Sequence, residues 1–338
     1  MGDILSTLII VLPLADYLAI PMLSSWSTSL NLLLFSITWT TIAITYAPLQ
    51  IEFFAPLAAR LILYILPSTL FLAFDLLVPS LAVELKTQGK MGLPGQMARG
   101  KVARVVWWSC FNVLLGVTLQ AGIEWVVTDV LHLRSVLAIK GGRWSLNHLP
   151  SPLSMLKNLA AGLVLQNVLQ YYIHSTILHS HMNNYLAHWH QTWHHSVRAP
   201  YSFAANHDHP ICYLIHRFLP LYIPAIIFRF HIMTYLILLS LFSLEEVFTY
   251  SGYSVLPSTI MLRGMARRTD VHMMSQGKGN YDPAGVLDWV HGTTLGNDVL
   301  DDVRDEMEKH NVQDKAGNAL DSVGTKWMCK TGNGKAKR

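Results

Sequence analysis

Charge is what this sequence is most conspicuously short of. Only 14% of its 338 residues are Asp, Glu, Lys or Arg, against about 25% in an ordinary soluble domain. With 51% hydrophobic residues and a mean hydropathy of +0.32, that shortage excludes an ordinary soluble globule and points to a membrane protein. Cysteine is scarce too. Cys110, Cys212 and Cys329 lie far apart with no CxxC spacing. This excludes a disulfide framework and a thiolate zinc site of the finger type, and a reducing compartment is expected. The net charge of +4 comes from basic residues scattered in short loops, which leaves no nucleic-acid footprint. There is no internal repeat, and no basic flank precedes the first apolar run as it would in a secretory signal.

What is present is a series of apolar runs near the roughly 20 residues a membrane helix needs. Residues 29–47 carry no charge, and residues 61–81 enclose Pro67, Asp75 and Pro79. Residues 105–127 have Trp107, Trp108 and Trp125 near their ends, as an interfacial belt would place them. Residues 154–178 carry Asn158, Gln166, Asn167 and Gln170 down one side, and 218–250 reads as a hairpin broken near Arg229. Residues 4–23, interrupted by Pro13 and Asp16, are a weaker candidate. Asp75, as an intramembrane acid, is expected to face the bundle interior. Loop 82–104 sets Lys86, Lys90, Arg99, Lys101 and Arg104 against Glu84 alone, so it is expected in the cytosol. The expected fold is an all-α integral membrane bundle of about four to six transmembrane helices with a cytosolic histidine-lined cap. Counting spans from the basic loop puts 171–217 and 251–295 on the same side as that loop. Three regions follow: N-terminal membrane helices and basic loop (1–104), a catalytic region (105–295), and a charged, flexible tail (296–338).

Ten of the 16 histidines fall between His174 and His216. An apolar core has no use for that density, because each buried ring has two nitrogens that need partners. Imidazole suits iron, zinc, copper and nickel, so metal is the expected point of convergence. Histidines arriving from several segments suggest two ions. His174 and His179 are five apart, as are His190 and His195. On a regular helix five residues turn about 500°, leaving the side chains about 140° apart. Either a π-bulge brings such a pair together or each member addresses a different metal. His190 and His194, four apart, fit one helix face. The seven-residue rhythm of His174, His181, His188 and His195 is read as chance, because Met182-Asn183-Asn184 breaks the helix. His132, His148, His188 and His310 are not expected to be ligands. His181 is a candidate supporting group, and His231 suits an interface beside Arg229.

The order of these motifs resembles the fatty acid hydroxylase/sterol desaturase superfamily of integral-membrane di-iron oxygenases. His174–His179 resembles its first histidine box, His190 through His195 its second, and His209-Pro210 a downstream His-Pro. Ser251-Gly252-Tyr253 stands where the family has SGY, and Asp270-Val271-His272 resembles part of the last box. Asn280-Tyr281 and Leu287 through Thr293 resemble the closing signature. The match covers roughly 150–295, and its phrasing is most similar to divergent members of fungal type, associated with secondary metabolite biosynthesis. Three positions depart from the pattern. Thr269 and Met273 flank His272 where further histidines are usual, and Tyr250 precedes SGY where many members have His.

The resemblance implies His174, His179, His190, His194, His195, His209 and His272 as metal ligands. It implies Asp270, Asp288, His207 and His216 as groups that support them. His291 falls where the family has an aromatic residue, so packing is expected there. The implied cofactor is a pair of iron ions, in preference to zinc, with O2 as co-substrate and no acid–base residue beyond the ligands. The implied activity is hydroxylation or desaturation of an aliphatic carbon in a lipid, sterol, terpenoid or polyketide-like substrate. Electrons would come from a separate donor such as cytochrome b5 or its reductase, and the expected location is the endoplasmic reticulum with the histidines facing the cytosol. With the last box thinned, the site either borrows His207, His216 or His231 or holds one metal firmly and a second loosely. The alternative function is a degenerate histidine-box protein, a lyase, an isomerase or a non-catalytic membrane scaffold.

Overall fold

The computed structural model describes residues 26–137, 150–180, 184–256 and 262–309. The apolar run 4–23, His148, His181, His310, Cys329 and most of the tail lie outside them. Among the described residues the chain is helical, and its sole β-type contact is one bridge between Lys86 and Tyr253. Helix α1 is Trp26–Thr45 and α2 is Pro48–Leu77, which takes a π-turn at Leu61–Ile65; α3 is Pro79–Leu85 and α4 Arg99–Val130. Helix α5, Pro152–Tyr172, runs on into a π-turn at Ile173–Leu178. Helix α6 is Tyr185–Trp193, α7 Pro210–Ile227, α8 Ile232–Thr249, α9 Gly264–Met274, α10 Val286–His291 and α11 Val299–Lys309.

Four of these, α2, α4, α7 and α8, are long and apolar enough to cross a membrane. Helix α2 begins 13 residues before the expected start at 61. It can include Arg60 because that guanidinium is buried against Glu246 at 2.6 Å, which removes a lone charge from the bundle. The hairpin expected at 218–250 is present, but its first arm starts at Pro210 and so carries His216. Its tip turns through Arg229 in the left-handed region (φ +48°), and the Phe230 N–H returns to the Ala225 carbonyl. Asn158, Lys157 and the glutamines leave α5 outside the four spanning helices. Its Gly162, Gln166 and Gln170 recur every four residues and are buried, so they form the inward face.

Two apolar clusters hold the bundle. One packs the α7–α8 hairpin on α1 and α2 through Trp39, Ile51, Tyr222, Phe230 and Leu238. The other seats the 197–205 segment between α2 and α4 through Tyr64, Val105, Tyr201 and Phe203. The 82–98 loop, the start of α7 and the end of α8 meet at one end of the bundle. There Lys86 Nζ pairs with Asp75 at 2.8 Å and donates to the Ser251 carbonyl. Tyr253 Oη donates to the other Asp75 oxygen, and Thr87 N–H bonds the Gly252 carbonyl. Asp75 thus faces the interior, as expected. Lys86, counted among the cations that place the loop in the cytosol, is buried, because Asp75 sits where its ammonium can reach. Gly252 makes this clasp feasible: its φ is +72°, and a Cβ there would lie 2.9 Å from the Pro200 carbonyl. Both histidine-bearing regions lie at this same end.

Candidate metal centre

Four segments bring seven imidazoles into one ring-contact network: the π-turn after α5, α6 with its following turn, α7, and α9. The five-residue spacing of His174 and His179 is resolved by the backbone. The His179 N–H bonds the His174 carbonyl at 3.0 Å, the i→i+5 closure of a π-turn, which stacks residues five apart. Their ring centroids are 4.8 Å apart. Asn184, capping α6 at the Ala187 N–H, turns the chain so that His190 lies 5.2 Å from His174 and 5.0 Å from His179. Helix α9 brings His272 to 4.7 Å from His174. Another π-turn, Leu214–Phe218, presents His216 at 4.3 Å from His174.

His174, His179, His190 and His272 offer ligand atoms that all lie within 4.8 Å of one another. Two ligands on opposite sides of one ion at metal–nitrogen distances of about 2.1 Å would be about 4.2 Å apart. The four nitrogens therefore need only a small inward adjustment to share one ion. Their protonation fits as well. His174 Nδ1 donates to the Tyr281 carbonyl at 2.7 Å and His272 Nδ1 to the Gly279 carbonyl at 2.7 Å. His190 Nδ1 donates to Asp208 Oδ2 at 2.6 Å. In all three rings Nε2 is buried without a hydrogen-bond partner. Each ring is thus fixed in the tautomer whose Nε2 lone pair is free, as a metal ligand requires. His195 Nε2 lies 3.2 Å from His179 Nε2, a separation that two ligands of one ion have at such bond lengths. Burial keeps the rings neutral: His190, His194 and His195 are pushed well below the usual imidazole range, and His272 and His207 down to about 4.

His194 touches His190 and donates from Nδ1 to the His207 carbonyl at 3.0 Å, while its Nε2 faces the Tyr250 hydroxyl at 3.4 Å. His209 stands apart from the cluster. It stacks on Trp189 at 4.2 Å, and its Nδ1 accepts the Ile211 N–H at the start of α7. His207 packs beside Trp193, and His231 caps α8 at the opposite end of the hairpin. His291 stacks on Tyr171 at 5.1 Å, as an aromatic position would. Asp270 accepts from Gln88, not from an imidazole. Asp288 accepts from the Tyr281 and Asp282 N–H groups and from Thr293 Oγ1. It shapes the loop whose carbonyls orient His174 and His272.

Asp208 is the group the sequence reading passed over. Burial raises its carboxyl to about 6, and it orients His190. Its signal was an acid between two histidines, His207-Asp208-His209. Gly277 also went unnoticed. It is in the left-handed region (φ +83°), and a Cβ there would lie 1.9 Å from His179 Cε1.

A helical bundle with membrane-length helices and a buried all-imidazole cluster at one end defines a histidine-box membrane protein. Residues 159–293 match the family model described as fatty acid hydroxylase. That stretch is a fatty acid hydroxylase domain, the family of the fatty acid hydroxylase/sterol desaturase superfamily, whose members are generally oxidative lipid-modifying enzymes. No solved structure matches the chain.

Proposed function

We propose that this protein is a membrane-bound, iron-dependent oxidoreductase that uses O2 to hydroxylate or desaturate an aliphatic carbon of a lipid, sterol, terpenoid or polyketide-like substrate. The observation that carries this is the trio of buried Nε2 lone pairs on His174, His190 and His272, unpartnered and grouped with His179. Iron, when bound there, supplies the activation of O2. Hydroxylation consumes the C–H substrate, O2, two electrons and two protons, and yields the alcohol and water. The electrons come from a donor such as cytochrome b5 or its reductase.

The residues of this chain supply position and dryness. Tyr281, Gly279 and Asp208 hold three rings in one tautomer, and Asp288 holds the 281–282 backbone that does part of this holding. The cluster is buried at the mouth of the bundle, where an apolar chain can arrive from the bilayer and water is excluded from the reacting centre. The catalytic region is 105–295, and the reading places it in the endoplasmic reticulum with the histidines facing the cytosol and a role in secondary metabolism. The test is expression in a yeast host lacking endogenous lipid hydroxylases, with product profiling and O2 uptake in the derived membranes. Wild-type chain yields oxidised products, and His190→Ala and His272→Ala abolish them. An unchanged product profile in both variants refutes the proposal.

A further inference from the structure

Beside the four grouped histidines lies a small cavity whose walls include His174, His216, His272, Arg217, Tyr250 and Thr269. Two-metal sites place their ions about 3.5–4 Å apart, and this cavity is space within that reach of the four rings where a second ion could lie. The side chains here are poorly suited to that. Arg217 Nη2 donates to the Tyr250 hydroxyl at 2.8 Å, and its guanidinium lies 5.3 Å from the Tyr250 ring centroid. The Tyr250 hydroxyl in turn faces His194 Nε2 at 3.4 Å. Thr269, His272 and Met273 occupy one face of α9, three and four residues apart. Positions 269 and 273 therefore flank the ligand His272 with a hydroxyl and a thioether. His194 has both nitrogens engaged, and His195 Nε2 is directed at His179. Beyond His174 and His272, which belong to the four-histidine group, His216 is the one lining residue that offers this cavity an unpartnered Nε2. A guanidinium cannot be deprotonated in a protein and cannot ligate, and its fixed positive charge repels a second cation in a poorly screened interior.

We propose that this centre holds a single metal ion, on His174, His179, His190 and His272 with His195 at its edge, and that Arg217, hydrogen-bonded to Tyr250, occupies the flank where a second ion would need imidazoles. The inference rests on the metal-dependent reading above and sharpens it: the residues present fit one ion and do not fit two.

The test loads the full-length chain, purified in detergent, with ferrous iron under anaerobic conditions. Loosely held metal is removed on a desalting column, and iron per chain is measured by plasma mass spectrometry. The expected result is one ion per chain, falling to none in His174→Ala and His272→Ala. After oxidation the wild-type protein shows the electron paramagnetic resonance signal of an isolated ferric ion, whereas a coupled ferric pair is silent. This readout needs no variant. Two ions per wild-type chain with a silent oxidised spectrum overturn the single-ion proposal and leave the metal-dependent reading standing. No retained iron overturns both. Arg217→Gln/Tyr250→His, confirmed as folded by circular dichroism and gel filtration, is expected to take up a second ion. A folded double variant that still binds one refutes the role given to Arg217 and Tyr250.

Discussion

Gly277 makes the most exacting test of the cluster's geometry, because it packs on His179, one of the proposed ligands, without being one itself. A Cβ built there lies 1.9 Å from His179 Cε1, 2.4 Å from Nδ1 and 2.8 Å from Nε2. Ordinary contact begins at 3.4 Å, so Gly277→Ala obliges the ring or the loop to retreat by about 1.5 Å, several times the ~0.2 Å tolerance of a metal–ligand distance. His179 would then no longer share an ion with His174, His190 and His272. Losing the orientation of one ligand costs roughly 10–100-fold in metal affinity. A second cost is separable. With φ at +83°, any Cβ at 277 carries a left-handed backbone penalty of about 1–2 kcal/mol. In a His179→Ala background the clash is gone and only that penalty remains, so the two substitutions should be strongly non-additive in iron affinity. Chelator competition measures affinity in the four proteins of the cycle, and thermal midpoints of the metal-free forms measure stability. Gly277→Ala with wild-type iron affinity, or additive effects in the cycle, would show that the loop is not seated on His179 and that the ring is placed by something else.

Three further outcomes follow from the same contacts. Asp208→Asn leaves His190 with a neutral acceptor in place of the carboxylate at 2.6 Å; iron affinity should fall about 10–100-fold, and an unchanged dissociation constant would remove Asp208 from the site. Asp75→Asn leaves the buried Lys86 ammonium uncompensated and should cost about 3–5 kcal/mol of stability; Asp75→Leu combined with Lys86→Met should recover most of that, and a double variant less stable than the single one would contradict the argument. For the metal-free protein, burial depresses His272 from the ordinary 6.5 to about 4. Between those values the unfolded chain binds the proton and the folded chain does not, so stability is full above about pH 6.5 and declines as pH falls toward 4, by roughly 3 kcal/mol for this ring alone. Thermal midpoints that stay flat from pH 7 to 4.5 would refute it.

The sequence made the helices and the gathering of histidines legible because each had a physical signature: long uncharged runs for the first, improbable imidazole density for the second. The five-residue spacing of His174 and His179 even named its own remedy, a π-turn, which the backbone adopts. What stayed hidden was set by partners distant in sequence. Nothing local to Lys86 says that Asp75 will bury it, and nothing local to Pro48–Arg60 says that Glu246, 186 residues beyond Arg60, makes a charged helix start tolerable. His209 looked equivalent to its neighbours, yet its ring lies on Trp189, apart from the other imidazoles. His216 looked peripheral, because a regular helix gave no reason for it to reach His174. The orienting acceptors were least visible of all, since three of them are backbone carbonyls, a group every residue carries.

Those carbonyls belong to irregular segments, and irregular segments hold a ring only as firmly as they are themselves held. The 202–208 segment is pinned from inside the bundle. Asn112, on α4 and fully buried, donates to the Asn206 carbonyl at 3.0 Å and the Asp208 carbonyl at 2.9 Å. Glu246 accepts from Asn206 Nδ2 at 2.8 Å while paired with Arg60. A membrane helix therefore sets where Asp208 sits, and Asp208 sets the tautomer of His190. Asn112→Leu should act on the metal centre although Asn112 touches no imidazole. It leaves two buried carbonyls short of a donor, at about 1–3 kcal/mol each, and lets Asp208 drift. Gln120→Leu on the same helix is the control. Gln120 accepts from Tyr235 Oη at 2.7 Å, two turns farther from the histidines, so its loss should lower the thermal midpoint comparably and leave iron affinity alone. If both variants weaken iron binding equally, affinity merely tracks global stability. If only Asn112→Leu does, the membrane bundle is part of the metal site.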